Sequence, residues 1–386
     1  KWAKAAAAAK EVIDLGVYEL FTVKKTASTI EPPQRMGYSD ANFPQGWADI
    51  DPYQSYTQLF DGNKRLGQIS EMIWANDNNN NIYELIEHSL PRYVKAWNCI
   101  AVTQKQVDAY QMCDGRDITN SSSEYPYRTE GFYDASNPNQ IKCDYVQDDV
   151  SMRYVHREPR FYANIHFPNQ RVSYAYPNEG DSYQDSDGYG IVDYWYKGLS
   201  GNGSTPGDKN TTGFSVRKGL PLNYCSSKEK AKDTWNLNVP FPIIRLGEVY
   251  LNYAEALNEY YGESRQDEVL EYLNAIRERA GIPGYEDSYS QEEMREMIRH
   301  ERKIELCYEC QRFFDVRRWF IAHGPNGAFN HNEYGLDMSK GENATDKEFF
   351  SMTEAAIKRF DIKHYLMPIK ASECELNTEL VQAPFY

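Results

Sequence analysis

The segment Ile298–Trp319, IRHERKIELCYECQRFFDVRRW, crowds ten charged side chains, one histidine and a Cys-x-x-Cys into a single stretch. Residues of these types can hold a metal, shuttle a disulfide or transfer protons. A redox Cys-x-x-Cys opens a helix, where the N-terminal dipole lowers the thiol pKa. Cys307 and Cys310 are instead expected in mid-helix, among glutamates that raise it. Zinc would need two further ligands at recognisable spacing, and the sequence offers none. Glu301, Glu305 and Glu309 stand at i, i+4 and i+8 and would repel one another if unpaired. The spacing predicts pairs between Arg302 and Glu305, Arg312 and Glu309, and Asp315 with Arg312 and Arg318. The segment therefore reads as an ion-paired strut. His300 is expected to be a network member rather than a catalyst, and no metal or cofactor is expected.

The elements that position this strut follow from periodicity. KWAKAAAAAK leads into Val12, Ile13, Val17 and Leu20 and predicts a helix from Lys1 to about Phe21, alanine being the best helix former. A shorter helix is expected around Tyr53–Phe60, and DNNNN (Asp77–Asn81) as a loop. IRLGEVYLNYAEALNEYYG places Val249, Tyr253, Ala256, Leu257 and Tyr260 on one helical face. SRQDEVLEYLNAIRERAGIPG stripes Val269, Leu273, Ile276 and Ala280, with Ser264 as its expected N-cap and Gly281 as its stop. The two form an αα-hairpin of tetratricopeptide size. Ser290 and Glu293 predict a capping box for the third helix. Between about Leu90 and Pro240, recurring Pro and Gly exclude long helices. There FYANIHF and RVSYAY alternate enough for short strands. Long irregular segments inside a compact chain are commonly functional.

Composition narrows the partners. The 386 residues carry a formal net charge of −15, which argues against nucleic acid, since phosphate binding needs clustered Lys and Arg. Seven irregularly spaced cysteines do not form a disulfide framework. No apolar run is long enough to span a membrane, and no signal peptide is visible. Tyrosine is abundant, at 31 residues with 7 Trp and 16 Phe. Its flat apolar ring and hydroxyl suit wet recognition surfaces.

FPIIRLGEVYLNYAEALNE, YLNAIRERAGIPGY, the Ile298–Trp319 strut and the terminal HYLMPIKASECELNTELVQAPFY resemble the SusD/RagB-like family of nutrient-binding outer-membrane lipoproteins of Bacteroidota. TQKQVDAYQMCDG resembles the stretch that precedes that family's ligand loops. HREPRFYANI is similar to its Asp-Pro-Arg-Phe turn, with Glu158 in place of the aspartate. Cys307 and Cys310 depart from it, replacing small residues. The resemblance implies a mainly α fold: tetratricopeptide-like helix pairs forming a bundle or repeat that cradles a long irregular loop region with a few short strands. It implies one domain lacking its N-terminal part. Its regions would be helical repeat at 1–90, ligand loops at 91–240, helix pair and ion-paired helix at 241–320, and C-terminal loops and tail at 321–386. It further implies a lipid anchor on the outer face of the outer membrane, outside this sequence. The implied partner is a SusC-like TonB-dependent transporter, and the implied ligand an oligosaccharide, or a peptide in the RagB branch.

A sugar ring has an apolar C–H face that aromatics cover and hydroxyls that Asn, Asp, Gln and Arg address. The family's site lies in the middle loops, where the expected ligand residues are Trp97, Tyr125, Tyr127, Tyr183, Tyr189 and Trp195. Trp47 and Trp74 are runners-up, with Trp74 reading more as a buried anchor. DSYQDSDGYG invites calcium through Asp181, Asp185 and Asp187, but Tyr183 occupies the first position of the EF-hand template and no glutamate closes it. Two rivals accompany the binding reading. A glycosidase needs a carboxylate pair that no motif selects, and a helical-repeat scaffold would bind only protein.

Overall fold

The computed structural model describes residues 1–32, 37–76, 88–92, 96–172, 190–203, 207, 209–220 and 239–386. The helices are α1 (Trp2–Asp14), α2 (Pro52–Thr57), α3 (Gln104–Val107), α4 (Pro159–Asn164), α5 (Leu246–Tyr261), α6 (Gln266–Arg279), α7 (Gln291–Glu305), α8 (Gln311–Arg318) and α9 (Ala371–Leu376). The strands occur as antiparallel pairs. β1 (Met72–Asn76) lies beside β6 (Phe241–Arg245), β2 (Ile165–His166) beside β5 (Ser215–Val216), β3 (Arg171–Val172) beside β4 (Gly190–Ile191), and β7 (Asn332–Leu336) beside β8 (Met352–Ile357). The β1–β6 pair joins the strand entering the irregular middle to the strand leaving it, and so closes the loops at their base.

The repeat part is built as its periodicity requires. Val269, Leu273, Ile276 and Ala280 are all fully buried, as are Ala256 and Leu257 on the facing helix. All but Ala280 share one core with Met294 and Ile298 of α7, and Ala6 of α1 joins it. Alanine lets α1 lie close against its neighbours without side chains to displace. Tyr260 departs from the expected stripe and is exposed. Ser290 and Glu293 form the expected capping box. Ser264 does not cap α6: it sits in a 3-10 turn, Gly262–Arg265, and its hydroxyl bonds the Tyr261 carbonyl. FYANIHF is not one strand, because Pro159 at the first helical position starts α4 and only Ile165–His166 pairs as strand. A second, aromatic core under the loops contains Tyr110, Tyr154, Phe161, Phe167, Tyr194 and Phe214.

The strut is not a continuous helix. α7 stops at Glu305, Tyr308 and Cys310 take left-handed φ values of 61° and 63°, and α8 begins at Gln311. Non-glycine residues there cost about 1 kcal/mol each. The turn aims Glu309 inward, where its carboxylate meets Lys218 Nζ at 2.5 Å and Arg245 Nε at 2.8 Å. Most of the expected local pairs are absent. Glu305 takes Arg160 at 3.0 Å, Arg245 at 2.9 Å and Arg279, while Glu301 takes Arg160 and Arg277. Glu71 holds Arg245 at 2.6 Å and Arg279 at 2.7 Å, and Glu158 holds Arg160 at 2.7 Å. Five carboxylates and five cations from six separated segments thus neutralise one another in the interior. Arg302 and Arg318 pair with Asp315 on α8, the second being the one expected local pair that forms. His300 joins none of these bonds. Its Nε2 has no partner among the described residues, and burial lowers its pKa.

The packing reading holds for Cys307 but not for Cys310, and neither lies in mid-helix. Cys307 is buried against the Tyr110 hydroxyl at 3.3 Å and burial raises its pKa, while Cys310 is the exposed N-cap of α8. A thiol reagent should therefore modify Cys310 and Cys99 within the dead time of a native-state assay, and Cys307, Cys113 and Cys143 only on unfolding. Rapid native labelling of Cys307 would contradict this burial.

Glu305→Gln would leave Arg160, Arg245 and Arg279 under-neutralised in the interior. It should cost about 3–5 kcal/mol in denaturant titrations. The folded-state pKa values of Glu301, Glu305 and Glu309 lie below the ordinary 4.5 because surrounding guanidinium and ammonium groups outweigh desolvation. Their contribution is thus fully present above the unfolded value and is lost as pH falls through the lower folded values. The share contributed by these three carboxylates should hold steady from neutrality down to about pH 5, while raised carboxylates such as Asp61 add stability as they protonate. Unfolding free energy should drop steeply below about pH 4. A stability profile still flat at pH 3 would refute the coupling.

Candidate ligand-binding loops

The loops of the irregular middle hang from the aromatic core by polar side chains. Asn98 is fully buried with φ 56°. Its Nδ2 donates to the Ser200 carbonyl at 3.0 Å and its Oδ1 accepts from Asn210 Nδ2 at 3.3 Å. Asn210 in turn donates to the Phe214 carbonyl, and its Oδ1 accepts from the Thr212 and Gly213 amides. The Asp193 carboxylate accepts the Leu199 amide at 2.5 Å and the Ser200 amide at 3.0 Å. Burial raises its pKa against those bonds. The loop carrying Trp97 and the loop carrying Trp195 are therefore hydrogen-bonded to one another.

Trp97, next to the pinned Asn98, is 42% exposed and touches His88 edge-on at 4.6 Å. Trp195 is half-buried against the aromatic core, and Tyr196 beside it is exposed. Their turn is tight. A Cβ on Gly201 would lie 1.8 Å from the Trp195 carbonyl oxygen, so only glycine fits. Tyr196 and Lys197 donate their amides to Lys340 and Gly341, fixing the other side of this loop.

The tyrosines upstream form a separate cluster. Tyr125 is only 8% exposed, packs with Met112 and Cys113, and meets the His156 ring at 5.3 Å. Tyr127 is half-buried, with the Arg157 guanidinium 5.6 Å from its ring centroid. Arg157 is itself buried and donates to the carbonyls of Val107 and Tyr110. Little of Tyr125 is offered to a ligand. Tyr183, Tyr189 and the Asp181–Asp187 run lie outside the described residues, as does DNNNN. Both runners-up invert their expectation: Trp47 is buried, stacked on Tyr38 at 5.7 Å, whereas Trp74 is 60% exposed on β1. Met72–Asn76 is a strand whose register shifts between Met72 and Trp74, so that Met72 is buried and Trp74 exposed. Sequence reasoning missed Asn98, Ser200 and Asn210, whose small polar side chains carry no periodic signal.

No described helix is long and apolar enough to cross a membrane, and no described group of His, Cys, Asp and Glu could hold a metal ion. Among solved structures, a SusD-like protein from Bacteroides fragilis superposes with a TM-score of 0.68 at 24% identity, covering 100% of this chain and 62% of that one. A SusD-like carbohydrate binding protein from the same species gives 0.58 at 21% identity, over 98% of this chain and 61% of that one. These likenesses establish the fold, and the chain spans less than two thirds of either protein. SusD-like protein P2 of Formosa agariphila is 38% identical over 94 residues, which is 22% of this chain and 18% of that protein. Residues 66–386 match the SusD family, which covers the strut, the helix pair and the loops, and the chain belongs to that family.

Proposed function

We propose that this chain is a non-catalytic binding protein that captures oligosaccharide on the face presenting Trp97, Trp195 and Tyr196. Family membership and the carbohydrate-binding description of one structural neighbour support the nutrient class. The observation that carries the site is Trp97: a large indole, 42% exposed, held on a backbone that Asn98 locks to the opposite loop. A platform so fixed loses little conformational entropy on meeting a sugar ring. Each platform buries about 50 Å² of sugar, roughly 1 kcal/mol at 25 cal/mol/Å². Several platforms are needed for useful affinity, and Tyr183 and Tyr189 remain candidates for the remainder. Tyr125 and Tyr127 support the loops through packing and through Arg157.

Capture would be followed by delivery to a SusC-like TonB-dependent transporter, with the protein tethered to the outer surface of the outer membrane by a lipid anchor. Family resemblance supports both steps. A glycan array with a peptide library alongside tests the ligand class; a peptide-only response would replace the sugar reading with the RagB-like one. Turnover of any responding glycan would overturn the non-catalytic reading. Against the best responding glycan, Trp97→Ala and Trp195→Ala should each weaken binding about fivefold by calorimetry. Trp97→Ala should leave the melting temperature unchanged, because its indole is not core. Tyr125→Ala should instead lower the melting temperature by opening a buried cavity. Unchanged affinity in both tryptophan variants would sink the assignment.

A further inference from the structure

A cavity of about 730 Å³ lies away from these loops, between the segment after α1, the loop Gly37–Gln45 and the outer faces of α5 and α6. Its walls are aromatic: Tyr18, Tyr38, Phe43, Tyr250 and Tyr272. Tyr250 and Tyr272 brace each other edge-to-face at 4.9 Å, and Tyr38 is fixed by stacking on Trp47. Four carboxylates line it, from Glu19, Glu271, Glu278 and Glu286, and no Lys, Arg or His is among its described lining.

Glu278 distinguishes this cavity from an acidic surface patch. It is 7% exposed, yet no described residue donates a hydrogen bond to its carboxylate. Burial accordingly pushes its pKa up to about 7. The neighbouring Arg277 lowers that value, but its guanidinium is committed elsewhere, to Glu301, Gln111, the Tyr285 hydroxyl and the Pro283 carbonyl. Glu286 already accepts from the Tyr38 hydroxyl at 2.8 Å. The contrast with the interior is sharp. Glu71, Glu158, Glu301, Glu305 and Glu309 are each matched by guanidinium or ammonium groups, whereas Glu278 opens onto a cavity with none among its described lining. A largely buried carboxylate that meets a cavity without a protein partner is costly to ionise, and a cation in the cavity would relieve that cost.

The geometry points to a second binding site, in which the Glu278 carboxylate pairs with a protonated primary amine on a small organic ligand whose body lies against the tyrosine walls. Aromatic faces attract ammonium groups as carboxylates do, so walls and floor act in the same direction. A neutral sugar would leave Glu278 unpaired, and an anion would meet four carboxylates. An amino sugar and a lysine side chain present the same ammonium, and probes separate the two sources. The cavity shares no residue with the Trp97 and Trp195 loops, so this site and the glycan reading can fail independently.

The test is calorimetry on the full chain with three probes: the glucosamine tetramer, its fully N-acetylated counterpart, and N-acetyl-lysine methylamide. Binding of the glucosamine tetramer or the lysine derivative, with the N-acetylated tetramer silent, supports the site and names its source. Glu278→Gln should then weaken that binding at least tenfold. Its melting temperature should be no lower than the parent's, because the substitution removes an unpaired buried charge. Glu342→Gln, at an exposed position, should leave affinity unchanged and so controls for general attraction to an acidic protein. The inference is overturned if neither charged probe binds, or if Glu278→Gln binds the charged probes like the parent. N-acetylated tetramer binding that Glu278→Gln leaves unchanged is assigned to the Trp97 and Trp195 loops, and binding that it weakens as much as that of the charged probe also overturns the inference.

Discussion

The fold depends on a buried set of ion pairs that no single segment could sustain. Each of Glu71, Glu158, Glu301, Glu305 and Glu309 would be expensive to bury alone, and so would each of Arg160, Lys218, Arg245, Arg277 and Arg279. Together they neutralise one another, and phenyl and phenol rings cover part of the cationic side. Lys218 Nζ stands 4.2 Å from the Phe60 ring centroid and the Arg245 guanidinium 5.5 Å from the same ring. Such a set works only when every contributor has arrived. It ties the residue before β1, α4, the turn after β5, β6, α6 and the α7–α8 segment to one point, and thereby fixes the loops to the repeat. The left-handed turn at Tyr308–Cys310 is the local strain accepted to bring Glu309 into it.

How much of this was legible in the sequence follows the range of each interaction. The helices α5, α6 and α7 were readable because their apolar faces repeat every three or four residues, and Ser290 and Glu293 announce a start. The dense charge of Ile298–Trp319 was rightly read as structural, but its partners were misread. Helical spacing suggests neighbours on the same helix, whereas Glu305 finds Arg160, Arg245 and Arg279, which lie in other segments. Nothing in IELCYECQRF signals the break either, since neither left-handed residue is glycine or asparagine. Tyr125 and Trp74 show the same limit at single positions: tyrosine and tryptophan sit equally well in a core and on a surface, so type alone does not choose.

Trp97 and Trp195 were singled out through composition and family resemblance, yet what holds their two loops together is the set of bonds through Asn98, Ser200 and Asn210. These are loop-to-loop contacts between residues far apart in the chain. The cavity beside α6 was invisible for a related reason. Glu278 lies in the run RERAG, where its spacing offers ready partners, and only the folded chain shows that Arg277 is engaged elsewhere.

The Asn98 anchor has a consequence for how such a surface can change. Its bonds to Ser200 and Asn210 use one main-chain carbonyl and one asparagine side-chain amide, and they make no demand on which aromatic residue stands at position 97 or 195. The attachment and the displayed side chains are thus separable. A loop face fastened in this way can exchange its rings, and with them its taste for one ligand over another, while the frame beneath is left untouched.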